Sequence, residues 1–307
     1  MNPLSYSFPP NLETALNKAL QDWQQQDKTA RLWQRDASVW TSRDEADWLG
    51  WLDIVGQSLQ QLDELQSAVS ELMAGGIRQV VLLGMGGSSM APEVLHDTFG
   101  HAPEHPELLV LDSTDPGQIA SVEARLDLAH TAFVVASKSG STLEPNILMA
   151  WFYQRMVDTV GAELAATHFI AITDPGSSLE QQAGKDGFRY IFPGRADIGG
   201  RFSALSNFGV VPAAIIGMDC RRFLDNTQQM VTACATPSPA AENPGVLLGA
   251  MLGVAALNGH DKLTLVASPQ VASTGAWLEQ LIAESTGKQG RGVLPLDGEP
   301  VGAPEVY

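Results

Sequence analysis

The sequence predicts an α/β protein built on a five-stranded parallel sheet, doubly wound so that helices cover both faces. Short aliphatic runs, "RQVVLLG", "ELLVLDS", "TAFVVASKS", "HFIAITDP" and "RYIFPG", recur between residues 78 and 194. Each is apolar without alternation, as a strand buried on both faces must be. Helix-patterned stretches such as "APEVLHDTFG" and "EPNILMAWFYQRMVDTV" fall between most of them, which is the order of a βα-wound sheet.

Residues 10–75 are predicted helical. "NLETALNKALQDWQQQ" opens on Asn11, a favourable N-cap residue, and repeats apolar residues at helical spacing. "DEADWLGWLDIVGQSLQQLDELQSAVSELMAG" does the same over a longer stretch and closes at Gly75 and Gly76. Residues 202–258 read as helical, broken by "ATPSPAAENPG", with "GVLLGAMLGVAALNG" as a buried helix. "DKLTLVASPQ" is a further strand and "STGAWLEQLIAESTGK" a helix, to which "GVLPLDGEPVGAPEVY" can add at most one strand. The expected domains are an N-terminal helical region over 1–76, a sheet domain over 77–215, a helical connection over 216–260, and an incomplete second α/β unit over 261–307. An ending so soon after an unfinished sheet is the expectation for a truncated chain.

Composition narrows the function. A net charge of −17 on 307 residues repels nucleic acid and anionic membrane surfaces alike, so neither is an expected partner. An anionic small molecule would have to be held by local dipoles and a few cations. Cys220 and Cys234 are too few for a disulfide framework. The six histidines are read as lacking the H-x-x-x-H spacing of a zinc site, so no metal is expected. The N-terminus lacks the basic-then-apolar order of a signal peptide, and the longest apolar run is too short to span a bilayer. A soluble, cytoplasmic protein is expected.

In open parallel sheets ligands bind beyond the carboxyl ends of the strands, so the strand-to-helix loops hold the candidates. "LLGMGGSSMAPEV" places Gly84, Gly86 and Gly87 after the first strand. Such glycines let backbone amides approach a ligand at a helix N-terminus. A dinucleotide fingerprint, with Asp112 near the ribose, lacks its third glycine because Ser89 stands there; a plain tight turn is the other reading. "SKSGSTLEPN" is richer. Ser137, Ser139, Ser141 and Thr142 supply hydroxyls, Lys138 a charge, and Gly140 room for an anion nest. The alternative is a capped helix start completed by Glu144 or Asn146, but a cap needs one hydroxyl rather than four.

"DIGGRFSALSNFG" sets Arg201 after two glycines, where a guanidinium could stabilise developing oxyanion charge, or could simply pair with Asp197 at the surface. On a helical wheel Glu284 lies beside Trp277 and Leu281, with Gln280 one turn before it. That places it at the edge of an apolar face, where partial burial would raise its pKa toward that of a general base. An exposed glutamate is the commoner fate of a lone helical Glu.

Together "GMGGSSMAP", "SKSGSTLEP", "DIGGRFSALSNFG" and "QLIAESTGK" resemble the glucose-6-phosphate isomerase family, whose sugar-phosphate units have the SIS fold. The style is closest to the isomerase half of bacterial transaldolase–isomerase fusions. The resemblance covers the chain from its helical N-terminal region to about Lys288, and "GGRFS" and "ES-x-GK" are its specific parts. It implies interconversion of glucose 6-phosphate and fructose 6-phosphate, within glycolysis and gluconeogenesis, without cofactor.

By position it implies that Ser137, Lys138, Ser139, Ser141 and Thr142 bind phosphate, and that Gly87 and Ser88 lie against the sugar. Gln280 would orient the substrate, Glu284 would move a proton between C1 and C2 through an enediol, and Arg201 would stabilise the enediolate. It further implies a homodimer in the full-length form. The family's "GQH"-type histidine and its lysine in a C-terminal "Q-x-G-V-E-x-x-K" helix have no counterpart in this chain. A phosphosugar-binding regulatory module of the SIS type, without turnover, is the alternative function.

Overall fold

A computed structural model describes residues 4–235, 238–300 and 302. Along the chain come helices α1 (Pro10–Gln25), α2 (Lys28–Trp33) and α3 (Ile54–Ala74). The wound region follows as β1 (Gln79–Gly84), α4 (Met90–Phe99), β2 (Glu107–Leu111), α5 (Pro116–Glu123), β3 (Thr131–Ala136), α6 (Leu143–Val160), α7 (Ala162–Ala165), β4 (Phe169–Thr173), α8 (Ser178–Asp186) and β5 (Tyr190–Pro193). Then come α9 (Asn207–Ile215), α10 (Cys220–Cys234), α11 (Pro244–Leu257), β6 (Lys262–Thr264), α12 (Thr274–Thr286) and β7 (Leu294–Leu296). The chain divides into two compact units, one of residues 53–224 and one of residues 1–52 with 225–307.

The larger unit holds the five predicted strands, all parallel, in the order β2-β1-β3-β4-β5. β1 and β3 pair over their whole length, from Gln79 opposite Thr131 to Gly84 opposite Ala136. On one face Val81, Leu83, Phe133, Val135, Phe169 and Ala171 join Leu148, Phe152 and Met156 of α6 and Leu179 and Ala183 of α8 in a continuous core. Phe133 stacks between Phe152 and Phe169, with ring centroids 4.7 and 5.1 Å away. The alternate residues Val80, Leu82, Val134, Ile170 and Ile172 are equally buried, and α9 packs on α3 and α4 to give the second helical layer. That two-sided burial is why the strands carry unbroken apolar runs.

The N-terminal helices depart from the sequence expectation at their starts. α1 begins at Pro10 behind Pro9, so Asn11 is inside the helix and caps nothing. Proline's fixed φ suits the first helical position, where its missing N–H is no loss. The long helix expected from Asp44 begins only at Ile54; Glu45–Trp48 and Gly50–Leu52 are separate single turns. Its end is where the glycines place it, with Gly75 at the C-cap and Gly76 at φ +81°.

In the smaller unit Leu16 and Leu20 of α1 meet Leu247 of α11 and Ala240. The indole of Trp33 and the amide of Asn243 both donate to the Cys234 carbonyl, at 3.1 and 2.8 Å. β6 and β7 form a parallel pair on which α12 packs through β7. They are the strand read in "DKLTLVASPQ" and the one further strand read in "GVLPLDGEPVGAPEVY". The expected burial of α11 holds for one face only, since Pro244, Leu247 and Val254 are buried while Leu248 and Leu257 are exposed. No helix among the described residues is long and apolar enough to cross a membrane.

Candidate active site

β1 is hydrogen-bonded to β2 on one side and to β3 on the other, so the winding reverses between β1 and β3. The loops leaving these two strands separate to opposite sides and open a crevice there. They are the two polar loops singled out by sequence, Gly84–Ser89 after β1 and Ser137–Thr142 after β3.

The serine loop is tightly determined. Ser137 is buried and donates its backbone N–H to the Ile172 carbonyl at 3.1 Å. Gly140 has φ +70°, and a β-carbon there would stand 2.6 Å from the Leu179 nitrogen, so only glycine fits. Its carbonyl accepts hydrogen bonds from Ser178 at 2.8 Å and from the Asn146 side chain at 3.0 Å. Asn146 also reaches the Thr142 carbonyl at 2.8 Å; it donates to carbonyls and caps no amide. The Ser137 hydroxyl donates to Thr142 Oγ1 at 3.2 Å, and the Ser139 and Ser141 hydroxyls lie 2.9 Å apart.

No side chain caps α6, although Thr142 occupies its N-cap position. The capped-start alternative therefore does not describe this loop. The first-turn amides face the same end as the paired hydroxyls, and the helix dipole favours negative charge there.

Lys138 is turned the other way. Its ammonium meets the Asp174 carboxylate and donates to the carbonyls of Arg195 at 2.9 Å and Ala196 at 3.4 Å. Arg195 is held in turn by Asp197, through Nε and Nη2 at 2.8 and 2.5 Å, and by Asp53 at 3.0 Å. These two carboxylates, Asp197 above all, raise the pKa of its guanidinium, against the burial that would lower it.

The glycine loop meets the arginine segment directly. A β-carbon on Gly87 would lie 2.3 Å from the Gly200 carbonyl carbon and 2.7 Å from the Arg201 nitrogen. The Ser203 hydroxyl reaches the Gly87 carbonyl at 3.2 Å. Ser88 is buried, and the Arg201 guanidinium lies 4.9 Å from the Phe202 ring centroid. Gly87, Ser88, Arg201 and the serine loop thus belong to one unit and one end of its sheet. The one cation of the serine loop, Lys138, has its ammonium on Asp174 and the Arg195 and Ala196 carbonyls.

Gln280 and Glu284 belong to the smaller unit, on α12, where Gln280 Nε2 stands 3.5 Å from a Glu284 carboxylate oxygen. The expectation that Glu284 would be partly sheltered is not met: it is exposed. The wheel correctly puts it beside Trp277 and Leu281, but both are only half-buried and Gly275 is the one buried residue of α12. A two-stranded sheet covers too little of that face to shelter its edge. Lys288 donates to the Glu284 carbonyl at 2.9 Å.

Sequence reading missed Asp174, Ser178, Gly194 and Arg195, and assigned Asn146 only to a cap. It also passed over "HAPEH", in which His101 and His105 stand four apart. That segment is loop, and the His105 ring is hydrogen-bonded to the Ile215 carbonyl at 3.0 Å. Among the described residues no group of three or more histidine, cysteine or acidic side chains could hold a metal ion.

Sheet order and loop chemistry together define a doubly wound α/β protein of the SIS type, whose β1–β3 reversal is the kind of place where open parallel sheets bind ligands. Residues 49–293 match the phosphoglucose isomerase family model, and the chain belongs to that family. It is 32% identical over 265 residues to glucose-6-phosphate isomerase of Trichormus variabilis, covering 81% of this chain and 48% of that relative. Among solved structures it is similar to a hypothetical protein of Thermus thermophilus, with a TM-score of 0.75 and 25% identity over 94% of this chain and 68% of that one. It is also similar to a glucose-6-phosphate isomerase from Chlamydia trachomatis, with a TM-score of 0.66 and 26% identity over 88% and 53%. The chain spans about half the length of the curated relatives it matches.

Proposed function

We propose that the chain acts in aldose–ketose isomerisation, interconverting glucose 6-phosphate and fructose 6-phosphate through an enediol, without a cofactor. The observation that carries this reading is the uncapped α6 start, with four hydroxyls gathered at the reversal of the sheet. A phosphate monoester needs several neutral donors converging on a few oxygens, and an acidic protein has little else to offer it. Ser137, Ser139, Ser141 and Thr142 would hold the phosphate, with Gly87 and Ser88 against the sugar. Arg201 would stabilise the enediolate oxygen, Gln280 would orient the substrate, and Glu284 would transfer the proton. The family's full-length members would assemble as homodimers.

Because Glu284 is exposed within its own unit, bound substrate rather than the fold would have to displace water from its carboxylate. The same exposure favours a second reading, a phosphosugar-binding module without turnover. Titration with fructose 6-phosphate tests what the two readings share. A Ser137→Ala, Thr142→Ala double variant is expected to lose affinity for it by about 10-fold or more, and unchanged affinity would overturn both. A coupled assay of this chain then separates them. Turnover that falls roughly 10²-fold to 10⁴-fold in Glu284→Gln, with affinity retained, supports the isomerase. Absence of turnover in the unsubstituted chain supports the binding module.

A further inference from the structure

We infer that Lys138 and Asp174 form a latch that positions the serine loop, with neither side chain touching the phosphate. The inference rests on the reading of Ser137–Thr142 as the anion site, and it reassigns the one cation in that loop.

A lysine ammonium has three donors and no acceptor. Those of Lys138 point to the Asp174 carboxylate and to the carbonyls of Arg195 and Ala196, leaving none for a ligand. Main chain reinforces the side chains: the Lys138 carbonyl accepts from the Asp174 N–H at 3.1 Å and from the Thr173 hydroxyl at 3.3 Å. Lys138 is therefore fastened on both its peptide and its ammonium to the carboxyl ends of β4 and β5.

The site around Asp174 is shaped for it. Its Oδ1 is buried and meets no donor among the described residues, so the carboxylate depends on the ammonium at Oδ2 for compensation. A β-carbon on Gly194 would stand 2.3 Å from that Oδ1, so glycine at 194 is what lets the carboxylate reach its place. The far end of the latch continues into the arginine segment. Arg195, whose carbonyl takes the ammonium, is fixed by Asp197 and Asp53, and the same stretch of chain runs on to Gly200 and Arg201. The latch thus sets the spacing between the hydroxyl donors and the guanidinium.

A phosphate ligand and a latch predict opposite signs for the isosteric Asp174→Asn change. If Lys138 bound phosphate, neutralising Asp174 would release the ammonium and remove a nearby negative charge, and affinity would rise. As a latch, losing the charged partner loosens the loop, and affinity falls.

The test is titration of the whole chain with fructose 6-phosphate and with inorganic phosphate, beside a thermal melt. Asp174→Asn is expected to weaken both ligands by about 10-fold. Gly161→Ala serves as the stability control: Gly161 has φ +88° with nothing within 4 Å of a β-carbon, so the change should lower Tm without altering affinity. Tighter or unchanged binding in Asp174→Asn would overturn the latch, as would a fall no larger than that of Gly161→Ala at matched loss of Tm.

The Ser137→Ala, Thr142→Ala variant keeps the two failures apart. If it binds normally the anion site is wrong; if it binds weakly while Asp174→Asn does not, only the latch is wrong. Lysine-ammonium NMR on the unsubstituted protein needs no variant. Lys138 Nζ is expected to show no hydrogen-bond coupling to the phosphorus of bound fructose 6-phosphate, and such a coupling would overturn the latch.

Discussion

Gly87 lies so close to Gly200 that a β-carbon on the first would sit 2.3 Å from the carbonyl carbon of the second. Two loops separated by more than a hundred residues touch through their main chains, and the contact holds the glycine loop beside Arg201. Gly87→Ala must push them apart, because backbone rather than a flexible side-chain end is in the way. Overpacking of this kind destabilises by about 1–3 kcal/mol. The expected outcome is a lower Tm together with weaker fructose 6-phosphate binding, measured by melting and titration on the same sample.

Gly140→Ala combines two penalties that can be separated. Its left-handed φ alone costs a non-glycine residue about 1–2 kcal/mol, and the 2.6 Å approach to Leu179 adds a clash. Gly161→Ala also places a side chain at positive φ, with φ 88° and ψ 159°, but meets no clash. Urea unfolding is expected to show the larger loss for Gly140→Ala, and only that variant should lose ligand.

The Asp36 carboxylate accepts the Ser38 hydroxyl at 2.5 Å, the Arg31 Nε at 2.8 Å and the Ser38 N–H at 2.9 Å. The Ser38 hydroxyl above all, then Arg31, lowers its pKa to about 2. A carboxyl depressed on folding contributes stability above its unfolded value and loses it as pH falls through the folded one. Stability measured by urea midpoints should therefore decline between about pH 4 and pH 2, and Asp36→Asn should flatten that part of the curve.

Cys220 is buried with its thiol directed at the Val210 carbonyl. Burial, and secondarily Asp219, pushes its pKa up to about 12, so almost no thiolate exists near neutrality. Alkylation of Cys220 by iodoacetamide, followed by mass spectrometry, is expected only at the rate at which its surroundings unfold.

The five strands were legible because a parallel sheet buried on both faces leaves runs such as "AFVVA" in β3 with no polar residue to confuse the pattern. The serine loop was legible because four hydroxyls around one glycine exceed what a helix start requires. Asp174 was not, since its meaning comes from Lys138, thirty-six residues earlier, and from the space left by Gly194. The start of α1 was misjudged because Pro10 competes with Asn11 for the same local role, and proline wins at the first turn. Glu284 shows a further limit. A helical wheel tells which way a side chain faces, and only tertiary packing tells whether anything covers it.

β3 carries Phe133 into its aromatic stack and reaches Ser137 four residues later. The strand that anchors the interior is also the stem on which the proposed hydroxyl grip is mounted. Heat that frees those rings will undo the grip in the same event. Ligand capacity and cooperative melting should accordingly vanish at one temperature, and any mutation that softens the phenylalanine stack should act as an affinity mutation at a distance.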